Sequence, residues 1–311
     1  MKVLLATQKP FAAAAVAGIR EILEGAGHEV VLLEKYADAQ DLINAVADVD
    51  AMIVRSDKVT PAVLEAAGKL KIVVRAGAGF DNIDLVVSKE RGVVVENTPG
   101  QNSNAVAELA IAMMIYMSRN QFTPVSGTEV SGKKLGIQAF GNVGRLVGQK
   151  AEALGMTVYA TDPFIPADKI AEAGAVPVET VKDLYSQCDF VSVHIPATPE
   201  TIGSINYDLI TSMPKGAVLV NTARKEVVDE AGLEKALTDR PDLKYITDVA
   251  PDNIDVLREK FGVRVFATPK KMGAQTSEAN VNAGLAAARQ IVAYFADGCT
   301  KFQVNKYLNN T

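Results

Sequence analysis

A glycine-bearing turn in the middle of the chain is a candidate ligand-binding element. Residues 134–145, Lys-Leu-Gly-Ile-Gln-Ala-Phe-Gly-Asn-Val-Gly-Arg, have the pattern of a strand that passes through a turn into a helix. Ala139, Gly141 and Gly144 stand where dinucleotide-binding folds carry three glycines. The first makes the turn, the second lets the backbone approach a pyrophosphate, and the third lets helix and strand pack closely. The two glycines that matter most for phosphate approach and packing are present.

The residues after the turn extend this pattern. The helix N-terminus at Asn142 and Val143 is expected to hold a pyrophosphate, since unpaired backbone N–H groups point outward there. A second strand, 157–161, ends at Asp162, 23 positions after the start of the turn. An acid at that point accepts hydrogen bonds from both ribose hydroxyls of NAD and repels the 2′-phosphate of NADP. A tight turn followed by a solvated aspartate is the alternative, and we expect NAD.

Short apolar runs alternate with helix-like segments along most of the chain. Such alternation is typical of βαβ units and a parallel sheet. The expected strands are 3–5, 30–33, 51–54, 72–75 and 93–95, followed by 134–140, 157–161, 190–194, 217–221, 245–248 and 265–267. We therefore predict an α/β protein with two doubly wound parallel-sheet domains of the Rossmann or flavodoxin type. The other expected elements are a buried helix over 105–119, an irregular connection over 120–132 and a last helix over 278–296.

The composition fits a folded chain with small-molecule partners. Of 311 residues, 48% are hydrophobic and 22% charged, and the net charge is −5. A mildly acidic chain has no general attraction for nucleic acid or anionic lipid, so neither nucleic acid nor membrane is expected as a partner. Two cysteines, Cys188 and Cys299, show neither a pairing pattern nor metal-ligand spacing. They indicate a reducing, cytoplasmic location and no metal site.

Further segments resemble, in order, the motifs of one enzyme family. They are 54–60, 75–84, 97–102, 106–108, 194–198, 221–224, 228–230 and 248–249. The first two resemble the basic substrate loop and the glycine-rich carboxylate loop of the D-2-hydroxyacid dehydrogenase family. The next two resemble that family's crossover into its cofactor domain. The sequence is thus similar to D-2-hydroxyacid dehydrogenases through most of its length.

The resemblance implies a substrate domain, residues 1–98 and 282–311, that is split by an inserted NAD-binding Rossmann domain, 99–281. It also implies an active-site set of arginine, glutamate and histidine. Arg224 matches the arginine, whose guanidinium can hold a carboxylate or polarise a keto oxygen. The implied cofactor contacts are Gly141, Asn142, Val143, Gly144, Asp162, His194, Pro196, Thr198, Thr222, Ala223, Arg224, Asp248, Gly273 and Ala274.

The family's histidine is absent from this sequence. The pattern Thr-Pro-His-x-Gly-Ala is replaced over 268–274 by Thr-Pro-Lys-Lys-Met-Gly-Ala, which has one extra residue. Counting back from the glycine places Lys271 in the histidine position, whereas counting forward from the proline places Lys270 there. We favour Lys271 as the residue that transfers the proton. His194 is the only rival imidazole, and the family uses its position near the dinucleotide.

The family's glutamate is absent as well. It would fall shortly after Asp248, where Asp252 is the acid that could substitute for it. A lysine that must accept a proton works better without a neighbouring carboxylate, which would hold it in the charged form. We therefore expect no carboxylate beside Lys271.

Cationic and glycine-rich residues of the N-terminal part are expected to bind the substrate. They are Arg55, Ser56, Lys58, Arg75, Gly77, Ala78, Gly79 and Asn102. A simple 2-hydroxy acid needs one carboxylate anchor, so the additional cations suggest a second anionic group, a phosphate. Together with the resemblance, this favours NAD-dependent oxidation of 3-phospho-D-glycerate by a short family member. We expect a homodimer without a regulatory domain.

Two other functions remain open. A glyoxylate or hydroxypyruvate reductase of the same family would leave Arg55 and Lys58 as solvated residues, and a substrate panel distinguishes it. A catalytically weak NAD-sensing binding protein or corepressor would account for the absent histidine and glutamate. A single-turnover test of NAD reduction distinguishes that second alternative.

Overall fold

The computed structural model describes residues 1–306, which form parts of two compact units. The first unit comprises Met1–Asn102 and Gln275–Thr311, and the second comprises Ser103–Ala274. The first unit is therefore discontinuous in sequence, and the second is inserted into it. Residues 307–311, which belong to the predicted substrate domain, lie outside the described residues.

Two parallel sheets organise the described chain. Their strands are Lys2–Thr7 (β1), Glu29–Glu34 (β2), Ala51–Val54 (β3), Ile72–Arg75 (β4), Val94–Asn97 (β5), Lys134–Gln138 (β6), Thr157–Thr161 (β7), Val176–Pro177 (β8), Phe190–Val193 (β9), Val218–Asn221 (β10), Lys244–Thr247 (β11) and Val265–Ala267 (β12). The first unit has the order β2-β1-β3-β4-β5, and the second has β12-β11-β10-β9-β6-β7-β8. These are the flavodoxin-like and Rossmann orders. The predicted fold class is confirmed.

Helices connect the strands and cover both faces of each sheet. They are Ala13–Gly25 (α1), Ala39–Val46 (α2), Pro61–Ala66 (α3), Leu85–Glu90 (α4), Ser103–Ser118 (α5), Asn142–Ala153 (α6), Ala167–Glu172 (α7), Val181–Gln187 (α8), Tyr207–Thr211 (α9), Glu230–Asp239 (α10), Ile254–Phe261 (α11) and Ser277–Asp297 (α12). Because helices shield both faces, all residues of β3, β9 and β10 are buried, as parallel sheets require.

Helix α12 returns from the second unit and packs on α1 in the first. The two helices lie close together: an added Cβ at Gly18 would come within 2.6 Å of Leu285, and one at Gly284 within 2.9 Å of Ile19. On the same side of the sheet, buried Ala287 joins the core of the first unit. The last helix therefore completes a core whose strands precede it by about two hundred positions.

In the second unit, β6 lies between β9 and β7, so the chain changes direction across the sheet beside β6. Such a topological switch point leaves a crevice at the carboxyl ends of the strands, where open α/β sheets bind ligands. The loops that follow β6, β7, β9, β10 and β11 all end at this edge. Within residues 1–306, no helix is long and apolar enough to cross a membrane.

The clearest differences from the sequence expectation concern β6 and β8. Strand β6 ends at Gln138 instead of residue 140, because Ala139 has a φ of 76° and leaves the extended conformation. Strand β8 was not expected. It is two residues long and exposed, so it carries no buried apolar run.

Candidate functional site

In the turn between β6 and α6, Ala139, Gly141 and Gly144 each have a different structural role. Ala139 holds the left-handed conformation that glycine usually supplies. A Cβ on Gly144 would meet the Ala139 carbonyl oxygen at 2.4 Å, so this glycine allows the helix to pack on the strand. Gly141 is the N-cap of α6, and a Cβ there would meet nothing within 4 Å. Open space therefore borders the helix N-terminus at Asn142 and Val143.

Asp162 follows β7 and is held by the backbone on both sides. Its Oδ2 accepts a hydrogen bond from the Phe140 N–H at 2.8 Å, and its Oδ1 accepts one from the Phe164 N–H at 2.8 Å. Each carboxylate oxygen can accept more than one hydrogen bond. The carboxylate is thus fixed in orientation and still has acceptor capacity on both oxygens.

A cavity of about 630 Å³ opens beside Asp162. Its wall includes two further acids, Glu179 and Glu200, and apolar side chains such as Ile165 and Ile195. A slot with apolar walls and an acid at one end suits an adenosine group. No sequence pattern identifies these wall residues, because they come from separate segments that only the fold brings together.

The ends of β10 and β11 carry buried polar atoms without partners. Within residues 1–306, neither Thr222 Oγ1 nor Asp248 Oδ1 has a hydrogen-bond partner. The other oxygen of Asp248 accepts from the N–H groups of Met272 at 3.1 Å and Gly273 at 2.7 Å, just before Ala274. Burial raises the pKa of Asp248. Unpaired buried polar atoms are costly unless a ligand satisfies them, so this edge fits the polar groups of a dinucleotide.

The loop after β9 is ordered by its own hydrogen bonds. His194 Nε2 lies 3.0 Å from Ser192 Oγ, and burial lowers the pKa of His194 to about 4, so the ring is neutral at neutral pH. Farther along, Thr201 Oγ1 accepts from the Thr198 N–H at 2.8 Å and donates to the Pro196 carbonyl at 2.6 Å.

Arg224 and Lys271 are brought to the same backbone carbonyl. Arg224 Nη1 donates to the Ala223 oxygen at 2.9 Å, and Lys271 Nζ lies 3.5 Å from that oxygen. The buried amide of Asn221 fixes the turn, accepting from the Ala223 N–H and donating to the Arg224 carbonyl, both at 2.9 Å. Lys270 is exposed, and no side-chain hydrogen bond of it is recorded in the described part of the chain.

The carboxylate that interacts electrostatically with Lys271 is that of Asp248. Burial raises the pKa of Asp248, and the charge of Lys271 acts in the opposite direction, which places the two groups within electrostatic reach. Asp248 and Lys271 lie in the loops that follow the neighbouring parallel strands β11 and β12, so both loops leave the same edge of the sheet. Asp252 does not take this place, because it is exposed and pairs with Lys225 at 2.5 Å.

In the first unit, the predicted substrate residues follow two neighbouring strands. Strands β3 and β4 pair in parallel with Val54 opposite Arg75, so the loops that follow them leave the same edge of the sheet. Asp57, which is 2% exposed, accepts from the N–H groups of Gln8 at 2.7 Å and Arg55 at 3.2 Å. Tyr36 Oη donates to the same carboxylate at 2.8 Å. The buried carboxylate of Asp57 therefore stabilises the conformation of the basic loop that follows β3.

The Arg55 side chain is largely occupied within the protein. Its guanidinium donates to the carbonyls of Lys9 at 2.8 Å and Pro10 at 3.1 Å and to the amide oxygen of Asn280, and it lies 5.0 Å from the centre of the Phe11 ring. These contacts hold the loop after β1 against the start of α12. The structure thus gives Arg55 a structural role that the sequence did not reveal.

Arg75 lies over the glycine-rich loop. Its Nε donates to the Arg55 carbonyl at 3.0 Å, and an added Cβ at Gly77 would come within 1.5 Å of its Nη1. Gly77 also has a φ of 150°, so only glycine fits under this guanidinium. The remaining residues of the predicted substrate set are half-buried or exposed: Ser56, Lys58, Ala78, Gly79 and Asn102.

Comparison with known proteins identifies relatives of both units. The family described as D-isomer specific 2-hydroxyacid dehydrogenase, NAD binding domain, matches residues 106–269. The crystal structure of 3-phosphoglycerate dehydrogenase from Entamoeba histolytica with NAD+ bound is similar, with a TM-score of 0.88 and 49% identity over 99% of each chain.

Two further relatives are named for different activities. D-3-phosphoglycerate dehydrogenase of Mycobacterium tuberculosis is 36% identical over 268 residues, or 82% of this chain and 51% of that protein. Hydroxypyruvate reductase of Thermotoga maritima is 34% identical over 283 residues, or 85% of this chain and 90% of that protein. The chain spans about half the length of the mycobacterial relatives it matches.

The chain belongs to the D-isomer specific 2-hydroxyacid dehydrogenase family. The family resemblance of the sequence is thereby confirmed. Its second unit contains the NAD-binding domain of that family, and NAD is its cofactor, as the turn and Asp162 predicted.

Proposed function

We propose that this protein oxidises 3-phospho-D-glycerate to 3-phosphohydroxypyruvate, with NAD as the oxidant. The observation that carries the proposal is the 49% identity, over nearly the whole of both chains, to the Entamoeba histolytica 3-phosphoglycerate dehydrogenase. The reaction is the first committed step towards serine. The chain would act as an oxidoreductase of serine biosynthesis.

The second unit supplies the groups for the chemistry. NAD, held at the turn between β6 and α6 and by Asp162, would supply the acceptor for the hydride that leaves C2 of the substrate. Lys271 Nζ takes the proton of the 2-hydroxyl as general base, and returns it in the reverse reaction. The Arg224 guanidinium holds the carboxylate and the oxygen that becomes a keto group through charge-assisted hydrogen bonds. The proposal is supported by the approach of both side chains to the Ala223 carbonyl.

The first unit supplies the groups that hold the anionic ends. Lys58 is exposed in the loop after β3, and we assign it to the phosphate together with Arg75. The backbone N–H groups of residues 77–79 are assigned to the carboxylate. Arg55 donates hydrogen bonds to the carbonyls of Lys9 and Pro10. Substitution of Lys58 therefore tests phosphate binding more directly than substitution of Arg55.

The experiment compares a phosphorylated substrate with its unphosphorylated counterpart. In Lys58→Ala, kcat/KM for 3-phosphoglycerate should fall by about 1.5–3 kcal/mol, roughly 10- to 150-fold, through loss of charge-assisted hydrogen bonds. The rate with D-glycerate should change little. Lys71→Ala, which removes another exposed lysine of the first unit, is the control. Equal losses with both substrates would show that Lys58 has a structural role only.

A second candidate function is reduction of hydroxypyruvate. It is favoured by the similarity to the Thermotoga maritima hydroxypyruvate reductase over 90% of that protein, and by the engagement of Arg55 in internal hydrogen bonds. The two functions differ in the need for a phosphate. A higher kcat/KM with hydroxypyruvate than with 3-phosphohydroxypyruvate, measured with NADH, would select this reductase activity.

We further propose a homodimer formed through the connection after α5. Phe122 and Val125 are 70% and 66% exposed there, and residues 120–122 all have positive φ, a costly conformation. Lys244 Nζ holds this turn through Asn120 Oδ1 at 2.9 Å. Sedimentation should show a dimer that Phe122→Asp converts to monomer, whereas Phe164→Asp, at a phenylalanine that is 92% exposed, leaves it intact. A monomeric unmodified protein would contradict the proposal.

The cytoplasm is the compartment that we propose. Cys188 and Cys299 are both free, as expected where thiols stay reduced. Cell fractionation tests this, and recovery from an oxidising compartment would contradict it.

A further inference from the structure

A second cavity, of about 300 Å³, lies within the first unit and has no part in the proposed reaction. It is bounded by β5, by α12 and by the segment that follows α12. That segment runs antiparallel to β5, with Gln303 bridged to Glu96 and the Val304 N–H donating to the Val95 carbonyl at 2.8 Å. The cavity volume lies at the lower end of the range for small-molecule sites.

Glu96 contributes a buried carboxyl group to this cavity. It is 1% exposed, and its Oε1 accepts from the Phe302 N–H at 3.1 Å. Among the described residues, no hydrogen bond to its Oε2 and no ion pair is recorded. Burial raises the pKa of Glu96. A buried carboxyl group is costly to ionise without a cationic partner, so the site lacks a positively charged donor.

Gln290 lines the same cavity, and its side-chain oxygen accepts no hydrogen bond from the described residues. Gln290 is 9% exposed, and its Nε2 donates a hydrogen bond to the Asn97 carbonyl at 3.0 Å. That bond fixes the orientation of the amide. The other amide atom, Oε1, is buried and has no partner within residues 1–306. The cavity wall therefore carries one buried acceptor atom without a donor, Gln290 Oε1, beside the buried Glu96 carboxyl group, which accepts from the Phe302 backbone.

A positively charged side chain, that of Arg289, lies at the exposed part of the cavity. Arg289 is exposed, lines the cavity beside Gln290 on α12, and has no side-chain partner recorded in the described chain. The rest of the wall includes small apolar groups, among them Ala286 and Ala293. The arrangement places buried acceptors and an exposed guanidinium in one small cavity.

We propose that this cavity binds a small zwitterion with an ammonium and a carboxylate group, the chemistry of a free α-amino acid. The ammonium group donates to Glu96 and to Gln290 Oε1. The carboxylate pairs with the Arg289 guanidinium. The small apolar wall limits the side chain of the ligand. This site is separate from the residues assigned to NAD and 3-phosphoglycerate, and the inference does not depend on the proposed reaction.

The cysteine in the cavity wall reports its occupancy without any measurement of activity. Cys299 lines the cavity and is half-buried, whereas Cys188 is fully buried and burial raises its pKa to about 12. Iodoacetamide should therefore alkylate Cys299 selectively, and mass spectrometry gives the rate. The experiment adds the free L-amino acids one at a time to the full chain. At a concentration about ten times Kd, the one that binds should slow alkylation about 10-fold.

Variants assign the protection to the proposed contacts. Arg289→Ala should abolish it, and Arg91→Ala, at another exposed arginine of the first unit, should leave it unchanged. Glu96→Gln should also abolish it, and a circular dichroism spectrum checks that this variant folds. The proposal is overturned if no amino acid slows alkylation or if protection survives Arg289→Ala. It is also overturned if Cys299 is not alkylated in the absence of ligand. The same holds if the alkylation rate depends only on protein concentration, which would show that a second copy of the chain covers the cavity.

Discussion

At the scale of single residues, Lys271 and Arg224 approach one carbonyl oxygen, that of Ala223. Two cations gather at such a point only if anions or dipoles offset their repulsion. The Ala223 carbonyl supplies one dipole, and the carboxylate of Asp248 lies within electrostatic reach of Lys271. The carbonyl dipole and the Asp248 carboxylate thus offset part of the repulsion between the two cations.

Replacement of Lys271 tests its assignment as the proton-transfer residue. Lys271→Ala should lower kcat about 100-fold or more and leave the Kd for NAD nearly unchanged. Lysine is protonated at neutral pH, so oxidation, which needs the neutral base, should accelerate as pH rises into the alkaline range. Steady-state kinetics across pH measure both effects. Lys270→Ala is the matched control, and a larger loss there than at Lys271 would move the role to Lys270.

Asp162 determines the choice between the two nicotinamide dinucleotides. Asp162→Asn keeps the shape of the side chain and removes the charge that repels a 2′-phosphate. The ratio of kcat/KM for NADP to that for NAD should rise about 10-fold, or 1.4 kcal/mol. Glu179→Gln, which removes another acid of the same cavity, measures the contribution of charge alone. Better use of NADP than of NAD by the unmodified protein would contradict the assignment.

Among the secondary-structure elements, the turn between β6 and α6 assigns two tasks to two different glycines. Gly144 allows the helix to pack on the strand, and Gly141 leaves space for a ligand. Gly144→Ala drives a methyl group against the Ala139 carbonyl, which lies 2.4 Å from the added Cβ, and should destabilise the fold by roughly 1–3 kcal/mol. Gly141→Ala meets open space and should change stability by less than about 1 kcal/mol. Urea denaturation measures both. Isothermal titration should then show weaker NAD binding in Gly141→Ala, and unchanged binding there would argue against pyrophosphate at this helix.

The same turn stores strain at Ala139, the residue with a φ of 76°. Ala139→Gly should raise the free energy of unfolding by about 0.5–1 kcal/mol, because glycine adopts positive φ without steric cost. Ala153→Gly, in the last turn of α6, is the control and should lower it by up to about 1 kcal/mol. A loss of stability in Ala139→Gly would show that the turn is not strained.

Element positions were predictable where burial produced apolar runs. The expected β3 and β4 have the bounds of the observed strands, because every residue or nearly every residue of each is apolar. Strand β5 extends past its expected end at residue 95, since Glu96 is buried and polar and breaks the apolar run. The exposed two-residue β8 has no sequence signal of its own.

At the scale of the whole molecule, acid should destabilise the protein through His194. Its folded-state pKa of about 4 lies below the value near 6.5 of an unfolded histidine, because of burial. The stabilisation is present above about pH 6.5 and is lost as pH falls towards 4, on the order of 1–3 kcal/mol. Glu96 and Asp248, whose pKa values burial raises, act in the opposite direction.

Urea denaturation between about pH 7 and pH 4 checks this, with His194→Gln as the comparison. The variant should lose less stability over that interval than the unmodified protein, since its side chain takes up no proton. Equal losses in the two proteins would show that His194 does not report the acid transition.

The candidate site was predictable in its positions and not in its contacts. Motif spacing placed Asp162 and Arg224, because chemistry at a strand end depends on residue type and local register. The hydrogen bonds of Arg55 to the Lys9 carbonyl and of Met272 and Gly273 to Asp248 were not predictable. These contacts join segments far apart in the sequence, and only the packed fold determines them.

The most direct test of the central claim is a single turnover in which the enzyme with NAD is mixed with 3-phosphoglycerate and NADH is followed by its absorbance. We expect rapid NADH formation that approaches one equivalent per active site when the product is trapped, and far slower formation with D-glycerate. Rapid consumption of NADH with 3-phosphohydroxypyruvate should show the reverse reaction. NAD binding without NADH formation from 3-phosphoglycerate, in a protein that folds normally, would contradict the account.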